Sequence, residues 1–203
     1  MSTESVDIAR RRLAQSEDAF RQCINLDPRD EYAYQGLATL HVDWARRCRD
    51  AAESAEYLAK AEALITEGLR RVRLRDGLWI VSSRIQSILG NAPEYMAALE
   101  KAASSTPGSV LAKYLLGRAY RKNGDSQKAI EILKPLLEAN TEEFRACVEL
   151  AWAMEEVGES YASCIAVLRL SSLYGVSDPR YVATLARWYV VYERAVFASE
   201  GGI

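Results

Sequence analysis

The sequence predicts an all-α fold, an α-solenoid of about ten helices in antiparallel pairs. Two observations carry this prediction. Matching residues recur in the second half of the chain at a constant offset of 34. The matched pairs are Leu116 with Leu150, Gly117 with Ala151, Tyr120 with Met154, Gly124 with Gly158, and Leu133 with Val167. Apolar residues within these segments fall at i, i+3, i+4 and i+7, which indicates helices, and a period of about 34 residues is typical of stacked helix pairs.

The individual helices follow from this periodicity and from the turn residues between the apolar runs. Pro28 in INLDPRD and Pro107 in SSTPGS each end one helix, because proline cannot continue it. NGDS, GES and GVSD combine glycine with Asp or Ser, which suits tight turns and helix N-caps. Helices are therefore expected at 4–26, 30–49, 53–74, 77–89, 93–105, 109–123, 126–139, 143–157, 160–174 and 179–198, with no strand anywhere.

One spacing departs from 34. Phe20 and Ile65, like Tyr34 and Trp79, are separated by 45 residues, so eleven residues have been added. Eleven residues make almost three helical turns, and the segment ARRCRDAAESAE can extend a helix without rotating its apolar stripe off the core. The sequence therefore predicts an unusually long helix pair near residues 30–74, and not a separate domain.

Small and large residues alternate in register with the repeat. Each first helix has a small residue as the second member of a two-residue pair. These pairs are Leu37-Ala38, Ser82-Ser83, Leu116-Gly117, Leu150-Ala151 and Leu185-Ala186. Small residues of the second helices are Ala61, Ala129 and Ser163, and the large residues that follow four places later in the same register are Phe20, Ile65, Leu99, Leu133 and Val167. This pattern resembles the tetratricopeptide repeat, although Tyr95, Thr141, Lys113 and Cys147 depart from it. Small side chains at a helix crossing let the two backbones approach to about 8–10 Å.

The resemblance covers nearly the whole chain and implies a right-handed superhelix. It predicts a single tetratricopeptide-like domain over residues 1–203. Its units are expected at roughly 1–30 (a second-type helix only), 31–75 (the long pair with the insertion), 76–109, 110–143, 144–178 and 179–203 (a terminal helix).

Composition limits the classes of function. With 49% hydrophobic and 27% charged residues the chain is expected to be ordered and soluble, and a net charge of −2 gives no general attraction to nucleic acid or anionic lipid. The N-terminus lacks the apolar stretch of a signal peptide, and no window of eighteen apolar residues follows. We therefore expect a cytoplasmic protein without a membrane partner.

No catalytic or metal-binding motif is evident. The single histidine, His41, has no relay partner at a suitable spacing, and the four cysteines form no CxxC pair. GxxxxGK[ST] and GxGxxG are both absent. The sequence therefore predicts no enzyme activity, no cofactor and no metal site.

The first helices of such an array line its concave surface, so their outward positions, among them Gln35, Ile80 and Tyr114, predict where a partner binds. These positions are rich in arginine and aromatic residues, which often anchor protein interfaces. The predicted partner-binding residues are Arg84, Tyr114, Arg118, Arg121, Arg145, Trp152 and Arg187. They predict an acidic peptide or protein segment as ligand. The alternative interpretation is that the arginines pair with acids of the same chain, such as Glu155.

The predicted function is thus a protein-binding scaffold or adaptor, either free-standing or the sensor arm of a larger signalling protein. The side chains with which some family members hold a chaperone C-terminus are missing here. RNA binding through the arginine residues is the alternative function, although the net charge and a pI near 5.6 argue against it.

The last predicted helix, RYVATLARWYVVYERAVF, is apolar around more than one face. A repeat array normally presents a polar outer side at its end. The helix therefore suggests a longer parent chain, a covering partner or self-association as a homodimer. The residues predicted to form this docking face are Trp188, Tyr189, Tyr192 and Phe197.

Overall fold

The computed structural model describes residues 3–139, 144–170 and 179–200. Over these residues the chain forms ten α-helices and no strand, which confirms the all-α helical-repeat fold. The helices are α1 Thr3–Leu26, α2 Glu31–Ala45, α3 Ala51–Arg71, α4 Asp76–Leu89, α5 Ala92–Ser105, α6 Val110–Lys122, α7 Ser126–Ala139, α8 Phe144–Glu156, α9 Tyr161–Leu170 and α10 Pro179–Glu200. The part of the predicted helix 160–174 that follows residue 170 lies outside the described residues.

The added residues lengthen only the second helix of their pair. α3 has 21 residues, whereas α2 has 15 and ends at Ala45 instead of reaching residue 49. Asp50 begins α3 as its N-cap, since its side chain accepts a hydrogen bond from the amide of Ala52 at 3.0 Å. The hydroxyl of Ser54 donates to the carbonyl oxygen of Ala45 at 3.0 Å and fastens the new helix to the end of α2. A capped loop at 46–50 therefore replaces the continuous extension that the sequence predicted.

The chain divides into two compact units, unit 1 at residues 1–112 and unit 2 at residues 113–203. In a stacked array each repeat contacts only its neighbours, so a division of this kind does not by itself define separate domains. The single domain predicted over residues 1–203 stays a prediction.

The core of unit 1 forms where α2 packs on α3 and on α4. Ala38 and Ala61, the small residues of the repeat, are completely buried, and Tyr34 and Ile65 pack in the same cluster. Small side chains at these positions allow the two helices to come close, and the large neighbours fill the space between layers.

One core cluster of unit 2 is formed by α8, α9 and α10, with Val148, Ala151, Cys164 and Leu168 among its buried residues. Trp188 of α10 lies in the same cluster and is 0% exposed. This corrects the prediction that Trp188 belongs to an outer docking face. Apolar residues surround α10 on several sides, so the sequence pattern alone could not show which side faces the core.

None of the helices in the described part of the chain is both long enough and apolar enough to cross a membrane.

Candidate functional site

Arg121 stands at the centre of a charged network in unit 2. Its Nε atom donates to Glu149 Oε2 at 2.8 Å, its Nη1 atom donates to Glu156 Oε1 at 2.9 Å, and its guanidinium lies 4.8 Å from the ring centre of Trp152. Burial by itself lowers the pKa of Arg121, but the hydrogen bonds and charges of Glu149 and Glu156 outweigh it and raise that pKa. The side chain is only 14% exposed and therefore acts inside the protein more than at its surface.

The neighbouring residues complete the network. Arg118 Nε lies 3.4 Å from Glu149 Oε1, and the hydroxyl of Ser126 donates to Glu156. Glu149 is 6% exposed, so its charge has little solvent around it and depends on the two arginines. This network holds α6, α7 and α8 of unit 2 together.

The other predicted arginines also have partners. Arg187 Nη2 donates to both carboxylate oxygens of Glu155 at 2.5 Å, and Arg84 Nη2 pairs with Asp43 in unit 1. Arg145 lies with its guanidinium 5.0 Å from the ring centre of Tyr114. Tyr114 is itself buried, so it belongs to the core and not to an open contact surface.

Four of the predicted arginines are thus neutralised by carboxylates: Arg84, Arg118, Arg121 and Arg187. This is the intramolecular pairing that the sequence left open as an alternative. An acidic ligand would have to compete with these carboxylates. Each new ion pair with the ligand would replace an ion pair within the chain, so the net gain in binding energy would be small.

On α10 the exposed apolar residues differ from the predicted docking face. Tyr192 is exposed, as are Val182 and Val190. Tyr189 is half-buried, with the Arg169 guanidinium 5.5 Å from its ring centre. The side chain of Phe197 lies outside the described residues.

A second candidate surface is a groove in unit 1 with a volume of about 320 Å³. Gln35 of α2 and Ile80 of α4, both predicted as outward positions, lie in its wall. Tyr32 and Leu111, which are 73% and 42% exposed, stand one helical turn before the outward positions of α2 and α6. Gly77 occupies the same place on α4, where a Cβ atom would overlap the side-chain amide of Gln35. The groove therefore follows the predicted first-helix face, one turn nearer the helix N-termini.

The groove has an acidic end. Glu31 and Asp76 are the charged residues that line it, and neither Lys nor Arg does so in the described part of the chain. Burial is the main cause that raises the pKa of Glu31; Asp76 raises it further, and a hydrogen bond with the backbone of Leu74 acts in the opposite direction. Asp76 accepts a hydrogen bond from the Thr106 hydroxyl at 3.0 Å. The surface therefore combines exposed apolar side chains with carboxylates that lack a basic counterpart.

Sequence reasoning identified Gln35 and Ile80 but missed Tyr32, Leu111 and Glu31. One further step of the same helical register would have found the first two, because each lies three residues before an outward position. The exposure of Tyr32 and the partial burial of Glu31 depend on the packing of α2 against its neighbours and have no signal in the sequence.

Comparison with known proteins agrees with this architecture. A family model described as tetratricopeptide repeat matches residues 90–151. YrrB, described as a TPR protein with an unusual peptide-binding site, has a structure 16% identical in sequence with a TM-score of 0.60, covering 87% of this chain and 85% of its own.

Two further solved structures have the same TM-score of 0.60. The MamA structure is 15% identical and covers 89% of this chain and 99% of its own. A thermophilic TPR protein of Thermus thermophilus is 16% identical and covers 90% of this chain and 93% of its own. No curated protein matches the chain significantly. At these identities the likeness shows the fold.

Proposed function

Because this chain is a tetratricopeptide repeat protein, we propose that it is a protein-interaction scaffold that binds an extended peptide segment in the groove of unit 1. The observation that carries the proposal is the exposed Tyr32 beside Leu111 in a groove on the first-helix face. A tyrosine that is 73% exposed next to other apolar side chains offers contact area at little entropic cost. The peptide-binding site described for YrrB, a structural neighbour, supports the same use of the fold.

The lining of the groove defines the chemistry of the ligand. Tyr32, Leu74 and Leu111 favour an apolar side chain, since their exposed surfaces would leave water on binding. Glu31 and Asp76 favour a lysine or arginine next to it, because a basic group would supply the counter-charge that the lining lacks. We therefore propose a basic and apolar peptide in place of the acidic one that the arginine residues predicted.

RNA binding has less support than the peptide proposal. Four of the arginines on which it depends are paired with carboxylates of the same chain, namely Arg84, Arg118, Arg121 and Arg187. To bind RNA phosphates, cationic side chains must displace the counterions of the nucleic-acid backbone, and these four arginines already have acidic partners. Within the peptide proposal the protein is a cytoplasmic adaptor without catalytic chemistry of its own.

A random peptide library displayed on phage and selected on the immobilised full chain tests the proposal. We expect the selected peptides to share an apolar residue next to Lys or Arg. Measured by fluorescence anisotropy, Tyr32→Ala is expected to weaken their binding by about tenfold or more, as loss of an interface anchor does. Glu31→Gln is expected to weaken it several-fold, with a larger effect at low salt.

Tyr192→Ala is the matched control, since it removes an exposed tyrosine from α10 in the other unit. Selected peptides that bind equally to the Tyr32→Ala variant would refute the groove. If Arg118→Glu with Arg187→Glu abolished binding instead, the ligand would be acidic and would lie on unit 2. A labelled single-stranded RNA that binds at moderate salt would favour the alternative function.

A further inference from the structure

The segment that lengthens the first repeat spacing from 34 to 45 residues forms a wall of a cavity in unit 1. The cavity has a volume of about 530 Å³ and is separate from the peptide groove, with which it shares no lining residue. Ala9 and Arg10 of α1, Trp44 of α2, residues 47–50 of the connecting loop and Glu53 of α3 line it. Its volume is in the range of small-molecule sites, about 300–1,000 Å³.

The inserted loop is held at both ends. The amide of Arg47 donates to the carbonyl oxygen of Trp44 at 2.8 Å, which closes the last turn of α2. At the other end the Asp50 side chain caps α3. The wall of the cavity is therefore formed before any ligand arrives, and binding would require little ordering of the chain.

Positive charge predominates on this wall. Arg10 donates to Glu53 at 3.0 Å, and the Asp50 carboxylate is engaged as a helix cap, so both lining acids have partners. Among the described residues no carboxylate lies within ion-pair distance of Arg47 or Arg49, both of which are exposed. These two guanidinium groups differ in this respect from the paired arginines of unit 2.

Trp44 and Ala9 add apolar surface to the same wall. The indole Nε1 of Trp44 is itself buried, so it offers no donor to a ligand in the cavity. The guanidinium groups of Arg47 and Arg49 and the apolar atoms of Ala9 and Trp44 thus belong to one cavity.

We propose that this cavity binds a small molecule that carries a carboxylate or phosphate group on an apolar body. The anion would pair with Arg47 and Arg49, because the planar guanidinium fork matches both kinds of oxyanion. The apolar body would lie against Trp44. Binding here is independent of the peptide groove, so the protein would have a ligand site in addition to its interaction surface.

Isothermal titration calorimetry of the full chain with four probes tests this site. Phenyl phosphate and benzoate carry an apolar ring with the two anions, inorganic phosphate lacks the ring, and benzyl alcohol lacks the charge. We expect saturable binding of phenyl phosphate or benzoate, weaker binding of inorganic phosphate and none of benzyl alcohol. Whichever of phenyl phosphate and benzoate binds more tightly shows which anion the site prefers. The Arg47→Gln, Arg49→Gln double variant is expected to bind at least about tenfold more weakly.

Arg73→Gln is the matched control, since it removes an exposed arginine outside the cavity and should leave the affinity unchanged. The position of the probe is checked by NMR of the tryptophan indoles, of which the chain has 4. The Trp44→Phe spectrum assigns the Trp44 signal, which should shift on titration with the anionic probe.

Absence of saturable binding by both ring-bearing anions would overturn the proposal. Equal affinity for benzyl alcohol, or unchanged affinity in the double arginine variant, would do so as well. Tyr32→Ala should leave probe binding intact, so failure of the peptide proposal and failure of this one give different results.

Discussion

Replacing Gly117 by alanine is expected to destabilise the protein, although alanine is the better helix former. A Cβ atom at Gly117 would lie 2.5 Å from Cγ, 2.6 Å from Cδ2 and 3.1 Å from Cδ1 of Leu133. Carbon atoms that are not bonded pack at about 3.5–4.0 Å, so the neighbouring side chain or helix would have to move by about 1 Å. Leu133 is fully buried, so its side chain is packed among other core atoms.

The expected magnitude combines two opposing effects. Overpacking of a filled core costs about 1–3 kcal/mol. The change from glycine to alanine inside a helix returns about 1 kcal/mol. The variant should therefore lose between about 0 and 2 kcal/mol of unfolding free energy, which is the difference between these effects. With Leu133→Ala in the background the overlap disappears, and Gly117→Ala should then stabilise by about 1 kcal/mol.

A double-mutant cycle separates the overlap from the helix propensity. Urea unfolding of the parent, both single variants and the double variant, followed by circular dichroism, should give a coupling energy of about 1–3 kcal/mol. Gly108→Ala serves as the control, because a Cβ atom there would meet nothing within 4 Å. A coupling energy below about 0.5 kcal/mol would show that α6 and α7 do not meet closely at this point.

Three further predictions follow from buried or paired groups. Arg121→Gln should lower the free energy of unfolding in urea by about 2 kcal/mol, because it removes a charged hydrogen bond to buried Glu149. Arg187→Gln should lower it by less than about 1 kcal/mol, because that side chain is 59% exposed. Equal losses in the two variants would contradict this reasoning. Burial lowers the pKa of His41 below its usual value of 6.5, although the hydrogen bond and charge of Glu17 act in the opposite direction. The unfolded chain then binds the proton more readily, so stability should be full above pH 6.5 and decline as the pH falls below it. His41→Gln should reduce this decline. Burial raises the pKa of the Cys164 thiol to about 11, so iodoacetamide should leave Cys164 unmodified at about pH 8 until urea unfolds the chain, as mass spectrometry of its peptide can show.

The helices and the main core positions could be predicted from the sequence because their causes are local. The end of α1 at Leu26 depends on Pro28, and the register of the small residues depends on a 34-residue period that continues from one repeat to the next. Ala38 and Ala61 were identified as small packing positions, and both are completely buried. The number of added residues was also evident from the sequence, but their division between the loop at 46–50 and α3 depends on the cap at Asp50.

By itself the sequence determined the fold class, the helix order and the residues at which helices cross, since hydrophobic period and turn chemistry act over a few neighbouring residues. Only the tertiary structure decided which charges neutralise one another: Arg84 pairs with Asp43, 41 positions away, and Arg187 with Glu155, 32 positions away. It also decided that Trp188 is buried. A charged or aromatic residue is the same letter in the sequence whether its side chain faces solvent or a neighbouring helix. Its role is set by which helix packs against it, because only that contact removes water and supplies the partner.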